Sequence, residues 1–313
     1  MAIRDDMKKY DLVVVGEIYV DHVLTGFSRW PQPGEEVYAQ DYVLELGGGA
    51  ANTACALGRL GRSVSLIGTI GEAEAPWVHE RLSNFGVSDD ELRRVGGRTG
   101  ITVSVSGRMD RSFFTYLGAN TNLEEHLNDD ALVERMTQAR HIHFAMPIKA
   151  PLAKKLLAEL TRKGCSTSLD VGHHAEWLQD AANLQTCASI DYLLPNEREA
   201  RIICQGGAED YLNFTSEQGW PSGVVKMGAG GAIMRSDSGT LRALPPNVDT
   251  IDTTGAGDAF NAGFIDALLD RRDPAECLRR GCVVGGLSTR SAGALRALPT
   301  RDELETCLEE CYG

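Results

Sequence analysis

Residues 10–16 read YDLVVVG, an apolar and largely β-branched run that ends in glycine. Such a run reads as a strand buried on both faces. After the glycines at 47–49 comes AANTACALGRLG, in which Ala51, Ala54, Cys55 and Leu57 recur at helical spacing. Gly61 stands where that helix should end. Residues 63–67 read as the next strand and 76–85 as the next helix. The alternation continues with strands expected at 140–145, 166–171, 190–194 and 223–227, and helices at 151–163, 196–204, 255–270 and 274–290. Strands alternating with helices imply a doubly wound, mostly parallel sheet with helices on both faces, and ligands that bind beyond the carboxyl ends of its strands. No repeat, low-complexity tract or long linker interrupts the pattern, so one domain over residues 1–313 is expected.

Two stretches break the alternation. Residues 17–42 are turn-rich and include PQPGEEVYA, and residues 99–117, TGITVSVSGRMDRSFFTYL, alternate at period two around a turn near Gly107 to Arg111. They predict a small antiparallel sheet grown out of the main domain, placed to act as a lid or a dimer face.

Composition narrows the class. The formal charge of -13 argues against sequence-independent nucleic-acid binding, which needs clustered Lys and Arg to displace counterions. It leaves nucleotide binding open, because a phosphate site is a local arrangement of N–H groups and one or two cations. No apolar run is long enough to span a bilayer. The charged start, MAIRDDMKKYD, has no apolar core and does not read as a signal peptide, so a cytoplasmic protein is expected. The eight cysteines (55, 165, 187, 204, 277, 282, 307 and 311) form no CxxC pair and read as small apolar residues in a reducing compartment.

The chemistry concentrates in residues 252–264, DTTGAGDAFNAGF. Gly255, Ala256 and Gly257 precede Asp258, and an apolar helical pattern follows. Small residues at a helix N-terminus let backbone N–H groups converge on an anion, and the helix dipole adds partial positive charge. That suits phosphoryl oxygens during transfer, with a carboxylate beside them to take a proton from an incoming hydroxyl. The bland alternative is that Asp258 caps the helix and the glycines only make a turn. Local pattern alone leaves the two readings level.

DTTGAGDAFNAGF closely resembles the C-terminal signature of the ribokinase-like (PfkB) carbohydrate kinase family, and GGGAANTACALGRLG at 47–61 resembles its N-terminal signature. Further markers run along the chain: VVVGEIYVD at 13–21, PGEE at 33–36, TGITV at 99–103, GAN at 118–120, NERE at 196–199 and GAGG at 228–231. The resemblance implies an ATP-dependent kinase with Asp258 as catalytic base and the backbone of Gly255, Ala256 and Gly257 as the anion hole. It implies that Asp21 holds substrate hydroxyls, that Gly47, Gly48 and Asn52 bind substrate, and that the glycines form the hinge of the lid. Asn196 and Glu199 match the motif that organises Mg2+ and its waters, although N-E-R-E also fits a helix capping box. Lys226 and Gly228 correspond to the strand end beside the nucleotide phosphates. Ribokinase-type members tend to have Thr at the position of Lys226, so its place carries over and its chemistry does not; a point charge on a phosphate is what it offers. Gly228 and Gly293 mark the expected adenine pocket, and Asp252 with Thr254 matches positions that bind a monovalent cation, K+, in many relatives.

The sequence departs from the family's sugar-acid kinases at DVGHHAEWL, 170–178, where Gly172 and His174 replace an Asn and an Arg. Loss of a bidentate partner for a carboxylate disfavours a sugar acid. His173 and His174 read by default as loop histidines. The expected substrate is a free sugar or polyol. A nucleoside is the alternative, with Tyr38, Tyr42, Phe113, Phe114 and Tyr116 stacking a base or, more simply, forming the core of the small sheet. A non-catalytic kinase-like binding protein is the third reading. A homodimer through the lid sheet is expected.

Overall fold

A computed structural model describes residues 8–106, 111–172, 174–221, 223–236 and 239–313. The Tyr10–Val15 strand lies at the centre of a parallel sheet, with Leu12 paired to Val64 on one side and to His141 on the other. Outward on one side come Val64–Gly71 and then Val87–Ser88 and Leu92–Val95; on the other come Ala139–Phe144, Ser166–Leu169 and Tyr192–Leu193. Alternate residues of the central strand enter opposite cores. Leu12 and Val14 pack with helices Gly49–Arg59, Ala256–Leu269 and Arg301–Tyr312, whereas Val13 and Val15 pack with Asp130–Met136 and Ala150–Arg162. A strand covered on both faces needs the unbroken apolar run that YDLVVVG supplies.

The strands expected at 190–194 and 223–227 are shorter than their apolar runs: Tyr192–Leu193 and Val224–Lys226. Bridges Leu193–Gly223 and Asn196–Lys226 continue the parallel order across them. Beyond Lys226 the chain forms an antiparallel hairpin, Ala232–Ser236 with Gly239–Ala243, which the alternation did not predict. Asp266, fully buried on the Ala256–Leu269 helix, ties this half together: Arg62 reaches it at 2.7 Å and Arg301 at 2.6 Å. A buried carboxylate of this kind persists only because its cations compensate the lost hydration. All eight cysteines are free thiols, with Cys204 part-exposed, Cys311 exposed and the rest buried.

The small sheet has the order Asp41–Gly47, Tyr19–Thr25, Gly100–Ser106, Arg111–Tyr116. It is mixed rather than antiparallel, because its two central strands run parallel with Asp21 opposite Thr102. The reason is topological. Tyr19–Thr25 follows Tyr10–Val15, and Gly100–Ser106 follows Leu92–Val95, so both leave the same edge of a parallel sheet in the same direction. The expected lid segment 17–42 covers only the start of the Asp41–Gly47 strand, which runs on to the first helix. Of the expected turn, residues 107–110 lie outside the described residues.

Register separates the two faces of this sheet. Asp21, Glu45, Thr102 and Thr115 share one face; His22, Leu44, Val103 and Phe114 share the other. The aromatic residues do not form a core. Tyr38, Tyr42, Phe113, Phe114 and Tyr116 are each more than half exposed, and Trp30 stacks on Phe114 at 6.3 Å. The sheet is a single layer, and among the described residues no second layer covers its outward face.

Candidate active site

Two helix N-termini meet at the carboxyl edge of the parallel sheet. The first belongs to Gly49–Arg59. Its approach leaves no room for side chains: a Cβ on Gly47 would come 1.9 Å from an Asp21 carboxylate oxygen, and one on Gly48 would come 2.3 Å from the Glu17 carbonyl. Gly48 also holds φ +94, a conformation that favours glycine. The strand and the helix are therefore joined through two residues without side chains, the pair expected to form the hinge.

The second N-terminus belongs to Ala256–Leu269. Gly255 caps it in the left-handed region, at φ +71, and a Cβ there would meet Ala294 at 2.6 Å. Asp258 occupies the first turn, where an acid commonly folds back on the cap. Instead, Asn52 donates its Nδ2 hydrogen to Asp258 Oδ2 at 2.8 Å, linking the two helices. Asn52 is buried, and its Oδ1 acceptor has no partner among the described residues. Burial and the nearby Asp170 charge push the Asp258 carboxyl up to about 7, against the opposing pull of the Asn52 hydrogen bond and Lys226. Asp21 is likewise pushed up to about 7, by burial and then by Glu45, its cross-strand neighbour.

The other side of the site carries the positive groups. A Cβ on Gly257 would stand 3.6 Å from the Lys226 ammonium, which places that charge over the helix N-terminus. Asn196 and Glu199 form the capping box: Glu199 N–H donates to Asn196 Oδ1 at 3.0 Å, and Asn196 N–H donates to Glu199 Oε2 at 2.9 Å. Glu199 is buried, and burial together with Asp170 drives its carboxyl upward. Gly228 opens the turn after Lys226 at φ +54, with open space where a Cβ would be.

Asp252, Thr254 and Gly293 come together in a separate loop. Asp252 Oδ1 accepts from the Thr254 N–H and hydroxyl at 2.9 and 2.7 Å, and Oδ2 accepts from Gly293 N–H at 2.9 Å. A Cβ on Gly293 would strike the Glu45 carboxylate, so this loop abuts the lid strand. Glu45 also lies 3.9 Å from Arg296. His174 is exposed at the start of the Ala175–Gln179 helix, and His173 lies outside the described residues.

Three residues of the site were missed in the sequence. Asp170 and Asn261 bind Lys226, and Glu45 stands beside Asp21. Asp170 had a legible signal, an acid just past a strand's carboxyl end; Asn261 lies one turn beyond Asp258 and could have been placed on its face. Glu45 could not, because cross-strand partners depend on register.

A protein-family model described as pfkB family carbohydrate kinase matches residues 9–301. Ribokinase of Haemophilus influenzae is 30% identical over 313 residues, covering 95% of this chain and 98% of that protein. The structure of Arabidopsis thaliana ribokinase complexed with ribose and ATP superposes with a TM-score of 0.83 at 25% identity, covering 99% of each chain. A Burkholderia thailandensis nucleoside kinase in complex with inosine gives 0.82 at 21% identity, covering 96% of this chain and 99% of that one.

The raised carboxyls have a thermodynamic signature. Asp21 and Asp258 titrate at an ordinary 3.8 when unfolded and at about 7 when folded. Between these values only the folded chain holds the protons, so their contribution is complete below 3.8 and is lost as pH rises through about 7. Urea midpoints of the ligand-free protein should fall between about pH 5 and 7.5, and less steeply in Asp258→Asn. Identical pH slopes for the variant and the parent would show that Asp258 is not perturbed.

Proposed function

This chain belongs to the pfkB family of carbohydrate kinases, and from that premise we propose that it transfers the γ-phosphate of ATP to a hydroxyl of a free sugar or polyol, with Asp258 as the general base. The observation that carries the proposal is the Asn52–Asp258 bond, which aims an otherwise unpaired carboxylate between a set of acceptors and a set of donors. On the lid side stand Asp21, the Asn52 amide oxygen and Asp258, all acceptors for hydroxyl groups. On the nucleotide side stand Lys226 and the backbone N–H groups of Gly255 and Gly257, while the Ala256 N–H, the third of the expected set, donates to the Thr253 carbonyl at 3.2 Å.

The reaction follows from this division. The substrate hydroxyl gives its proton to Asp258 as its oxygen bonds to the γ-phosphorus and the bond to the β-phosphate oxygen breaks, releasing ADP. The helix N-terminus and Lys226 bear the charge spread over the transferring oxygens. The oxygen donors Asn196 and Glu199 suit Mg2+, directly or through water, and a carboxyl driven upward by burial is one whose charge a nearby cation restores. When bound, Mg2+ neutralises phosphate charge. Asp252 and Thr254 would hold K+, the neighbouring Gly293 loop linking that site to the lid.

An acceptor-rich substrate side disfavours phosphorylated and carboxylated sugars, because the substrate's anion would face Asp21 and Glu45. A nucleoside is the second reading, favoured by one observation: Phe113 is exposed on the same face of the lid as Asp21, where it would stack a base. We place the enzyme in the cytoplasm, with ATP; no helix among the described residues is long and apolar enough to cross a membrane. We also propose that the outward lid face, with Tyr42, Leu44, Phe114 and Tyr116 exposed, pairs with that of a second copy.

Screening ATP consumption against pentoses, hexoses, ketoses, sugar acids and nucleosides should reveal turnover of a free sugar or polyol. Asp258→Asn should then lower kcat by about 100- to 10,000-fold with the sugar KM nearly unchanged. Near-parental turnover would remove Asp258 as the base, and far higher kcat/KM for a nucleoside would replace the sugar. EDTA should abolish activity, and K+ should raise it over Na+; indifference to either sinks the corresponding cation site. Sedimentation at micromolar concentration should show a dimer that Phe114→Glu dissociates, and a parental monomer would refute the pairing.

A further inference from the structure

Lys226 is not a free surface cation. Its ammonium donates to Asp170 Oδ2 at 2.5 Å and to Asn261 Oδ1 at 3.2 Å, and Asn261 Nδ2 closes the ring by donating to the same Asp170 oxygen at 2.6 Å. The second oxygen of Asp170 accepts from Gly172 N–H at 3.1 Å. The Lys226 and Asp170 side chains are 10% and 12% exposed, and Asn261 is fully buried. An ammonium has three hydrogens. Two are engaged here, and a Cβ placed on Gly257, at the exposed helix N-terminus, would stand 3.6 Å from the nitrogen.

We infer that Asp170, backed by Asn261, is a positioning residue for the phosphate tail of the nucleotide: it anchors Lys226 so that the remaining N–H faces the helix N-terminus. The inference rests on the kinase reading and adds residues to it. A lysine is a point charge on a flexible four-carbon stem, and ordering that stem costs free energy at the moment of binding. The ring of Asp170 and Asn261 meets that cost during folding. It also explains why a buried ammonium is tolerated without a phosphate present, since Asp170 balances its charge. The second helix supplies Asn261 and Asp258 one turn apart, so the base and the cation are fixed to one rigid element.

Calorimetric titration of the full chain with MgATP and, separately, with adenosine tests this. Lys226→Met and Asp170→Asn should each weaken MgATP by about tenfold or more, leaving adenosine affinity unchanged. The double variant should be no worse than Lys226→Met alone, because Asp170 acts through the lysine. Parental MgATP affinity in Asp170→Asn, additive losses in the double variant, or equal loss of adenosine binding would each overturn the inference. Should Asp170→Asn fail to fold, Asn261→Ala is read in its place. A several-fold loss confined to MgATP is then expected, and no loss overturns the inference. A parent protein that binds neither MgATP nor adenosine would instead overturn the kinase reading itself.

Discussion

Everything in the site depends on the close approach of two helix N-termini, Gly49–Arg59 and Ala256–Leu269, at one edge of the sheet. Neither could come so near the other, or the Glu17–Asp21 segment, with side chains at Gly47, Gly48 or Gly255. The approach lets Asn52 reach Asp258 across two elements some two hundred residues apart in sequence. It also points two helix dipoles at a common space, the condition for collecting negative charge there. The packing behind the site follows the same rule. A Cβ on Gly263 would come within 2.5 Å of the Arg280 carbonyl, and one on Gly281 within 2.8 Å of Phe260, so the helix that carries Asp258 seats directly on its neighbour.

Electrostatics then divides the space. Asp21, Glu45, Asp258, Asp170 and Glu199 gather around the site, and burial raises the proton affinity of most of them. Asp170 is the exception, because Lys226 and Asn261 outweigh its desolvation and hold its carboxyl below the ordinary range. The Lys226–Asp170 pair thus sets one positive group among these carboxyls, close to the N-terminus of the second helix. The cost of assembling these carboxyls without ligand is the kind of local strain that a binding site carries and the surrounding core must offset.

The lid continues that division. Its inner face presents Asp21 and Glu45, and Glu45 also meets the 293–296 loop, which is bonded to Asp252. The Asp21–Glu45 face and the Asp252 loop therefore meet at one strand. Its outer face exposes Tyr42, Leu44, Phe114 and Tyr116, and among the described residues no second layer covers it.

The alternation of apolar runs and helical spacing determined the doubly wound parallel sheet, because period and burial are local properties of a chain. Two long motifs marked Asp258, Asn52, Gly255 and the Asn196–Glu199 pair, because helix N-termini and their caps are built from contiguous residues. Tertiary structure alone decided the rest. The parallel pairing at the centre of the small sheet follows from which edge two distant strands leave, and the exposure of Phe114 and Tyr116 from the lack, among the described residues, of a second layer. Asp170 and Lys226 are 56 residues apart, and their partnership arises because their strands, on either side of Tyr192–Leu193, end at the same edge of the sheet. Glu45 faces Asp21 only through a register that no single strand encodes. Local sequence specifies which elements form and which residues suit them for chemistry; only packing decides which charges face each other, since an ion pair depends on distance in space and not on separation along the chain.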